Sequence, residues 1–106
     1  MKKHEVFLSA LAERKLNLLL DYLTEEWGLN AKSKYLEKFK RAINQISNHP
    51  KSCQESSEGQ GIYKCIVTKK SSFYYRIKNN EIEIITIFDN RQDQRKIFEE
   101  MKKHFA

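Results

Sequence analysis

The spacing of apolar residues changes once along this chain, and that change constrains the fold more than any other feature of the sequence. In the first half, apolar side chains recur every three or four residues, which is the period of a helix with one buried face. From Gly61 onward they alternate with polar residues, which is the period of a half-buried strand. Helices followed by strands predict an α+β domain in which the helices cover one face of an antiparallel sheet.

Two helices are predicted in the first half, after a short apolar N-terminal strand at Glu5–Leu8. Ser9 is a good N-cap for the first helix, and Gly28 is a stop signal at its end. Asn30 is the predicted cap of the second helix, and Pro50 closes it. The connection is short, so the helices should form an antiparallel hairpin. The apolar positions are Ala12, Leu16, Leu19, Leu20, Leu23 and Trp27, then Tyr35, Leu36, Phe39, Ile43 and Ile46.

Three hairpin-linked strands are predicted in the second half, after a polar loop at Lys51–Gln60. They cover Gly61–Thr68, Ser72–Ile77 and Ile82–Phe88. In the middle strand, one face carries Phe73, Tyr75 and Ile77 and should pack on the helices, whereas the face with Ser72, Tyr74 and Arg76 should be wetter. Helical spacing at Ile97, Phe98, Met101 and Phe105 predicts a short C-terminal helix.

Residues 1–106 therefore read as a single α+β domain of order β-α-α-β-β-β, with a two-helix antiparallel hairpin packed on a twisted antiparallel sheet. Lys and Arg number 20 against 14 Asp and Glu, a net charge of +6 that suits phosphate-rich or acidic partners but also suits simple solubility. The chain has no apolar stretch of membrane-spanning length, and its basic start is followed by Glu5, so a cytoplasmic protein without membrane association is expected.

Most familiar catalytic and metal-binding motifs are missing from the sequence. The three glycines do not form a phosphate-binding loop, and the three histidines lie in separate segments, so neither a cofactor nor a metal is expected. Cys53 and Cys65 are expected to be reduced and structural, because Cys65 lies in an apolar strand where a buried thiol is usual.

The remaining candidates for function are lysine and arginine side chains on or beside the predicted sheet. These side chains could clamp phosphates, and Tyr63 and Tyr74 could offer rings on which a base stacks. The cations could equally be solvated strand positions, with Arg91 tied to an aspartate in its own turn. The candidates for binding a target are Lys64, Tyr74, Arg76, Arg91 and Arg95.

Three local strings resemble the RelE/ParE superfamily of toxins from bacterial type II toxin-antitoxin modules. Leu8-Ser9 precedes Ala12-Glu13 at the first helix, and Tyr22-Leu23 precedes Trp27-Gly28 at its end. The third string is the C-terminal half, GIYKCIVTKKSSFYYRIKNNEIEIITIFDNRQ. The resemblance implies a growth-inhibiting toxin. A cognate antitoxin, encoded by a small neighbouring gene, would wrap around the toxin and neutralise it. The chain would then form a homodimer or a toxin-antitoxin hetero-oligomer.

The superfamily resemblance implies one of two mechanisms. RelE-like members cleave mRNA on the ribosome with lysines, arginines and often a late tyrosine, and here Lys64, Arg76 and Arg91 would be the catalytic candidates. Matched by position, however, three of the residues that RelE-like members use are absent from this chain. Ile66 stands near the position of their second lysine, Ser72 near that of the strand arginine, and Phe98 near that of the late tyrosine.

ParE-like members poison DNA gyrase without being nucleases. The string from Phe73 to Ile77 and the Arg91-Gln92 turn favour this branch, although Gln94 stands where related chains often have proline. The ribosome-dependent endoribonuclease and an inactive relative that binds only its antitoxin remain the alternatives.

Overall fold

The computed structural model describes residues 3–57, 59 and 61–105, and it confirms the predicted α+β fold. Five strands form one sheet in the order β1-β5-β4-β3-β2, with three helices around it. The elements are β1 (Glu5–Leu8), α1 (Ala10–Trp27), α2 (Leu29–Asn48), β2 (Gln54–Glu55), β3 (Ile62–Ile66), β4 (Ser71–Lys78), β5 (Glu81–Asp89) and α3 (Gln94–Phe105).

Two features of the sheet differ from the predicted antiparallel arrangement. β1 pairs with β5 in parallel, although all other pairs are antiparallel. β2 is a two-residue strand on β3, inside the segment predicted to be a loop. Both of its side chains are exposed, so no alternation of apolar and polar residues could have revealed it.

Ser9 starts α1 as predicted and also fastens that helix to the sheet. Its Oγ accepts a hydrogen bond from the Ala12 N–H at 3.0 Å, which satisfies one of the free donors of the first turn. The same hydroxyl donates to the Ile85 carbonyl oxygen at 2.6 Å. One side chain therefore caps the helix and sets its position on β5.

Gly28 joins α1 to α2 and serves as the last cap of one and the first cap of the other. Its N–H donates to the Thr24 carbonyl at 2.9 Å, and its own carbonyl accepts from the Ala31 N–H at 3.1 Å. The predicted cap at Asn30 is wrong, because α2 begins at Leu29 and no side chain caps it. A backbone with φ 92° and ψ 176° makes the sharp reversal that leaves no room for a separate cap residue.

Substituting Gly28 by Ala should lower the free energy of unfolding by about 1–3 kcal/mol, because φ 92° and ψ 176° lie in a region that residues with a Cβ scarcely enter. No neighbouring atom lies within 4 Å of the position that the alanine Cβ would occupy, so the loss would report backbone strain and not a clash. Urea unfolding would measure it. Asn30→Ala is the matched control and should be nearly neutral; equal losses for both variants would contradict this account.

The main core lies between the helical hairpin and the sheet. Its centre is a set of rings in which Phe39 meets Phe73 edge-on, with centroids 5.7 Å apart. Tyr35 and Ser71 share a buried hydrogen bond at 2.8 Å between their hydroxyls. The prediction that Trp27 extends the buried stripe of α1 is wrong, because its side chain, at the last residue of the helix, is 71% exposed.

A second, smaller core lies under α3 on the opposite face of the sheet, where Ile97 and Met101 pack against Tyr74. A β-bulge opposite Tyr74 and Tyr75 helps to build it, because the bulge reverses the alternation of β5 and turns Phe88 toward α3. The predicted wetter face is therefore wrong at Ser72 and Tyr74, both 0% exposed. None of the three helices, over the residues described, is long and apolar enough to cross a membrane.

Candidate functional site

A groove lies between the helical hairpin and the ends of β4 and β5, and it is here called the hairpin groove. Its volume is about 580 Å³. Tyr22 and Trp27 stand on its rim, and both are exposed. The groove combines apolar and aromatic side chains with five cations, which are Lys15, Lys34, Lys38, Lys70 and Arg91.

The five cations make the hairpin groove suited to an acidic occupant, and its aromatic rim suits apolar side chains. Asp89 is the one acidic residue among its lining residues, and Arg91 already neutralises it. Large exposed aromatic side chains beside a groove are more often binding anchors than ordinary surface residues. The structure thus favours recognition of a chain segment over containment of a small substrate.

Arg91 belongs to the hairpin groove and forms a two-pronged ion pair with Asp89. Its Nε and Nη2 lie 3.1 Å and 2.9 Å from the two carboxylate oxygens, and its backbone N–H donates to the same carboxylate at 2.8 Å. These hydrogen bonds lower the pKa of Asp89 to about 2 and raise the pKa of Arg91. The turn interaction considered from sequence is therefore present, and it holds the guanidinium at the rim of the groove.

The Asp89 carboxylate should titrate with a midpoint near 2 in the wild-type chain, and Arg91→Ala should raise that midpoint toward the ordinary value of 3.8. Because folding lowers the pKa of Asp89, the ion pair with Arg91 slightly stabilises the folded protein above pH 4. That stabilisation is lost as the pH falls toward 2. Carboxyl carbon NMR would measure the midpoints. Arg91→Lys keeps the positive charge but loses the two-pronged hydrogen bonding, so its Asp89 midpoint should lie between those of the wild type and Arg91→Ala. An unshifted Asp89 midpoint in Arg91→Ala would show that Arg91 does not cause the low pKa.

Lys64 lies in a different concavity, an edge pocket of about 440 Å³ beside β2 and β3. Its Nζ is 5.7 Å from the centroid of the Phe88 ring, a cation-π distance on the α3 face of the sheet. Cys53, Cys65 and Gln94 also line this pocket.

Arg76 lines neither the hairpin groove nor the edge pocket. It faces Glu83 across β4 and β5, and its Nε donates to Glu83 Oε1 at 2.7 Å. Lys64 pairs with Tyr74, so Arg76 is its diagonal neighbour at roughly 7–8 Å between backbones. Arg91 is much farther away: Asp89 pairs with Ser71, five residues from Arg76 along β4, or roughly 17 Å.

The tyrosines expected to stack on a base are engaged within the protein. Tyr74 was proposed as a target-binding residue, but it is fully buried under α3 and its hydroxyl donates to Gln94 Oε1 at 2.6 Å. The prediction of an accessible Tyr74 is wrong because α3 covers that face of the sheet. Tyr63 stacks on Tyr75 with ring centroids 5.4 Å apart. Gln94, which stands where related chains often have proline, thus accepts a hydrogen bond from the Tyr74 hydroxyl.

Arg95 is exposed in the first turn of α3, where its backbone N–H donates to Asp93 Oδ1 at 3.0 Å. The three catalytic candidates therefore lie in three places: Arg91 at the hairpin groove, Lys64 at the edge pocket, and Arg76 in a cross-strand ion pair. Within the described ranges, no group of three His, Cys, Asp or Glu side chains could hold a metal ion.

Comparison with known proteins identifies the family. Residues 6–94 match the family model described as the ParE toxin of the type II toxin-antitoxin system parDE. The chain belongs to the ParE toxin family. A search of curated proteins found no significant match.

Solved structures share the fold of this ParE-family chain at low sequence identity. A chain from the chromosomal ParDE toxin-antitoxin system of P. aeruginosa has a TM-score of 0.70 and 16% identity, covering 84% of this chain and 98% of that one. A chain of the RelBE2 toxin-antitoxin complex from Mycobacterium tuberculosis has a TM-score of 0.58 and 15% identity, over 83% and 99%. A conserved hypothetical protein from Helicobacter pylori has a TM-score of 0.55 and 8% identity, over 84% and 97%.

Sequence reasoning did not assign residues to the hairpin groove. In the sequence, Tyr22 and Trp27 carry only the family resemblance and the helix stripe, and the lysines of both helices contribute to a general surface charge. A signal existed, because Lys34 and Lys38 lie one helical turn apart and flank Tyr35. Only the packing of α1 and α2 against β5 shows that these residues surround one concavity.

Proposed function

We propose that this chain is a growth-inhibiting cytoplasmic toxin that acts by binding DNA gyrase, and that a cognate antitoxin neutralises it by occupying the hairpin groove. Membership of the ParE family supports the toxin assignment. The observation that carries the choice of a binding mechanism over RNA cleavage is the separation of the candidate cations into different places on the surface.

Cleavage of RNA through its 2′-hydroxyl needs a proton acceptor, a proton donor and a cation around one phosphate. Lys64 and Arg76 are diagonal neighbours, but the Arg76 guanidinium is paired with Glu83. Arg91 lies roughly 17 Å farther along β4 and is paired with Asp89. This arrangement suits contacts spread over a large partner surface better than proton transfer at one phosphate.

An antitoxin segment suits the hairpin groove in both shape and charge. Apolar side chains of such a segment would pack against Trp27 and Tyr22, while its carboxylates would lie near the five cations of the groove. The similar P. aeruginosa and M. tuberculosis chains come from a ParDE system and a RelBE2 toxin-antitoxin complex, respectively. Those relatives support a protein partner of this kind for the present chain.

Induction of the chain in a bacterial host tests the target. We expect growth arrest with gyrase-dependent DNA breaks and a DNA-damage response, and relief when the product of the neighbouring small gene is co-expressed. Arg91→Ala should reduce toxicity gradually, by about 10-fold in the inducer concentration required, because one contact of many is lost. Lys40→Ala on the exposed side of α2, outside the groove, is the matched control.

Two other results would overturn parts of the proposal. Cuts in mRNA at translated codons, abolished by Lys64→Ala or Arg76→Ala, would assign the chain to the ribosome-dependent endoribonucleases. Normal growth with abundant soluble protein would instead indicate an inactive relative that retains only antitoxin binding.

A further inference from the structure

Cys53 and Cys65 are brought together by the pairing of β2 with β3. Gln54 pairs with Lys64 and Glu55 with Tyr63, so continuing this antiparallel register by one residue places Cys53 opposite Cys65. The Ser56 N–H donates to the Ile62 carbonyl at 2.6 Å, which marks that pair as hydrogen-bonded. Since the two kinds of pair alternate, Cys53 and Cys65 occupy a non-hydrogen-bonded position, where Cα atoms are about 4.5 Å apart.

That position matches the geometry of a disulfide, which needs Cα atoms roughly 4.4–6.8 Å apart and side chains on the same face. Both side chains line the edge pocket. Cys65 is 3% exposed and belongs to the main core, whereas Cys53 is half-buried at its edge. One thiol is therefore within reach of solvent, and the other lies beneath it.

The environment divides the two thiols into an attacking and a resolving group. A hydrogen bond from the Cys65 thiol lowers the pKa of Cys53 to about 6, against the opposing effect of partial burial. Donation of that bond, together with burial, raises the pKa of Cys65. The more accessible sulfur is therefore the one whose surroundings favour the thiolate, the form that nucleophilic attack requires.

We propose that Cys53 and Cys65 are a reversible oxidation site, at which a low-molecular-weight disulfide such as glutathione disulfide converts the two thiols into one intramolecular bond. The Cys53 thiolate attacks one sulfur of glutathione disulfide, and the bond between its sulfurs breaks to release one glutathione thiolate. Cys65 passes its proton to that thiolate and attacks Cys53 Sγ, releasing the second glutathione, which takes a proton from solvent. The protein loses two electrons, and glutathione disulfide gains them.

The bond would fasten the shortest strand of the sheet. β2 has two residues, lies at an edge and is joined to β3 alone, so it is the least secured strand among those described. Bridging residues 53 and 65 closes a short chain loop and holds β2 beside Lys64 at the edge pocket. This site stands apart from the hairpin groove and does not depend on the proposed target.

The test is equilibration of the full-length chain in glutathione buffers of stepped oxidised-to-reduced ratio, followed by alkylation and intact-mass measurement. We expect the loss of two hydrogen masses with no glutathione adduct, and a melting temperature raised by about 10 °C. Cys53→Ser should show no oxidation, whereas Cys65→Ser should retain one glutathione on Cys53.

The wild-type result decides the proposal even where the buried Cys65→Ser variant folds poorly. A stable glutathione adduct on the wild-type chain, a disulfide between two chains, or two free thiols at every ratio tested would each overturn it. An intramolecular bond that a reducing ratio reverses, with the same mass and melting temperature on each cycle, is the supporting result.

Discussion

Trp27→Ala is expected to weaken binding of the cognate antitoxin by about 30- to 1,000-fold, equivalent to roughly 2–4 kcal/mol. Trp27 is 71% exposed on the rim of the hairpin groove, where a partner segment would bury a large aromatic surface. Because its side chain lies outside both cores, the free energy of unfolding should change by less than about 0.5 kcal/mol. Calorimetric titration of the purified chain with its purified antitoxin measures the affinity.

Leu29→Ala is the matched control for that substitution. Leu29 is 69% exposed and lies two residues away, but it is not among the residues that line the hairpin groove. Its replacement should leave antitoxin affinity within about threefold of wild type. Equal losses for Trp27→Ala and Leu29→Ala would show that the partner binds the tip of the helical hairpin and leaves the groove empty.

Phe73→Ala should lower the free energy of unfolding by about 3–5 kcal/mol, enough to unfold a marginally stable domain. The side chain is 0% exposed and joins the ring of Phe39 on α2 to that of Tyr75 on its own strand, so its loss opens a cavity between the two layers. Urea unfolding followed by circular dichroism measures the effect. Ile66→Ala on the adjacent strand, where the side chain is 67% exposed, should cost less than about 1 kcal/mol.

If Phe73→Ala lowered the free energy of unfolding no more than Ile66→Ala, the packing of the helical hairpin would not depend on the contact between Phe73 and Phe39. The Tyr35–Ser71 hydrogen bond offers an independent check, because it also joins α2 to β4. Removing the Ser71 hydroxyl would leave a buried Tyr35 hydroxyl without this hydrogen bond, at a cost of about 1–3 kcal/mol.

Much of the fold could be predicted because apolar spacing reports directly on burial. The spacing of apolar residues placed the three helices and four of the five strands, and Ser9 located the first helix start. The junction at Gly28 was harder, since one residue with a positive φ ends one helix and begins the next. β2 and the bulge in β5 depend on pairing between strands, which a local pattern does not record.

The candidate site was less predictable for a related reason. Arg91 could be placed near Asp89 because they are two residues apart, and the structure shows that pair. Tyr74 alternates correctly along its strand, but its exposure depends on α3, which lies some twenty residues farther along the chain and packs over it. The hairpin groove combines residues from two helices and two strands, so no single segment indicates it.

The parallel pairing of β1 with β5 has a consequence for biosynthesis. Glu5–Leu8 leaves the ribosome well before its partner residues, 81–84, have been made. The helical hairpin relies on local contacts and can form early, whereas β5 must arrive between β1 and β4 before the sheet is complete. A nascent chain therefore cannot complete the sheet or the main core until β5 has left the ribosome, and the second core also waits for α3, which supplies Ile97 and Met101.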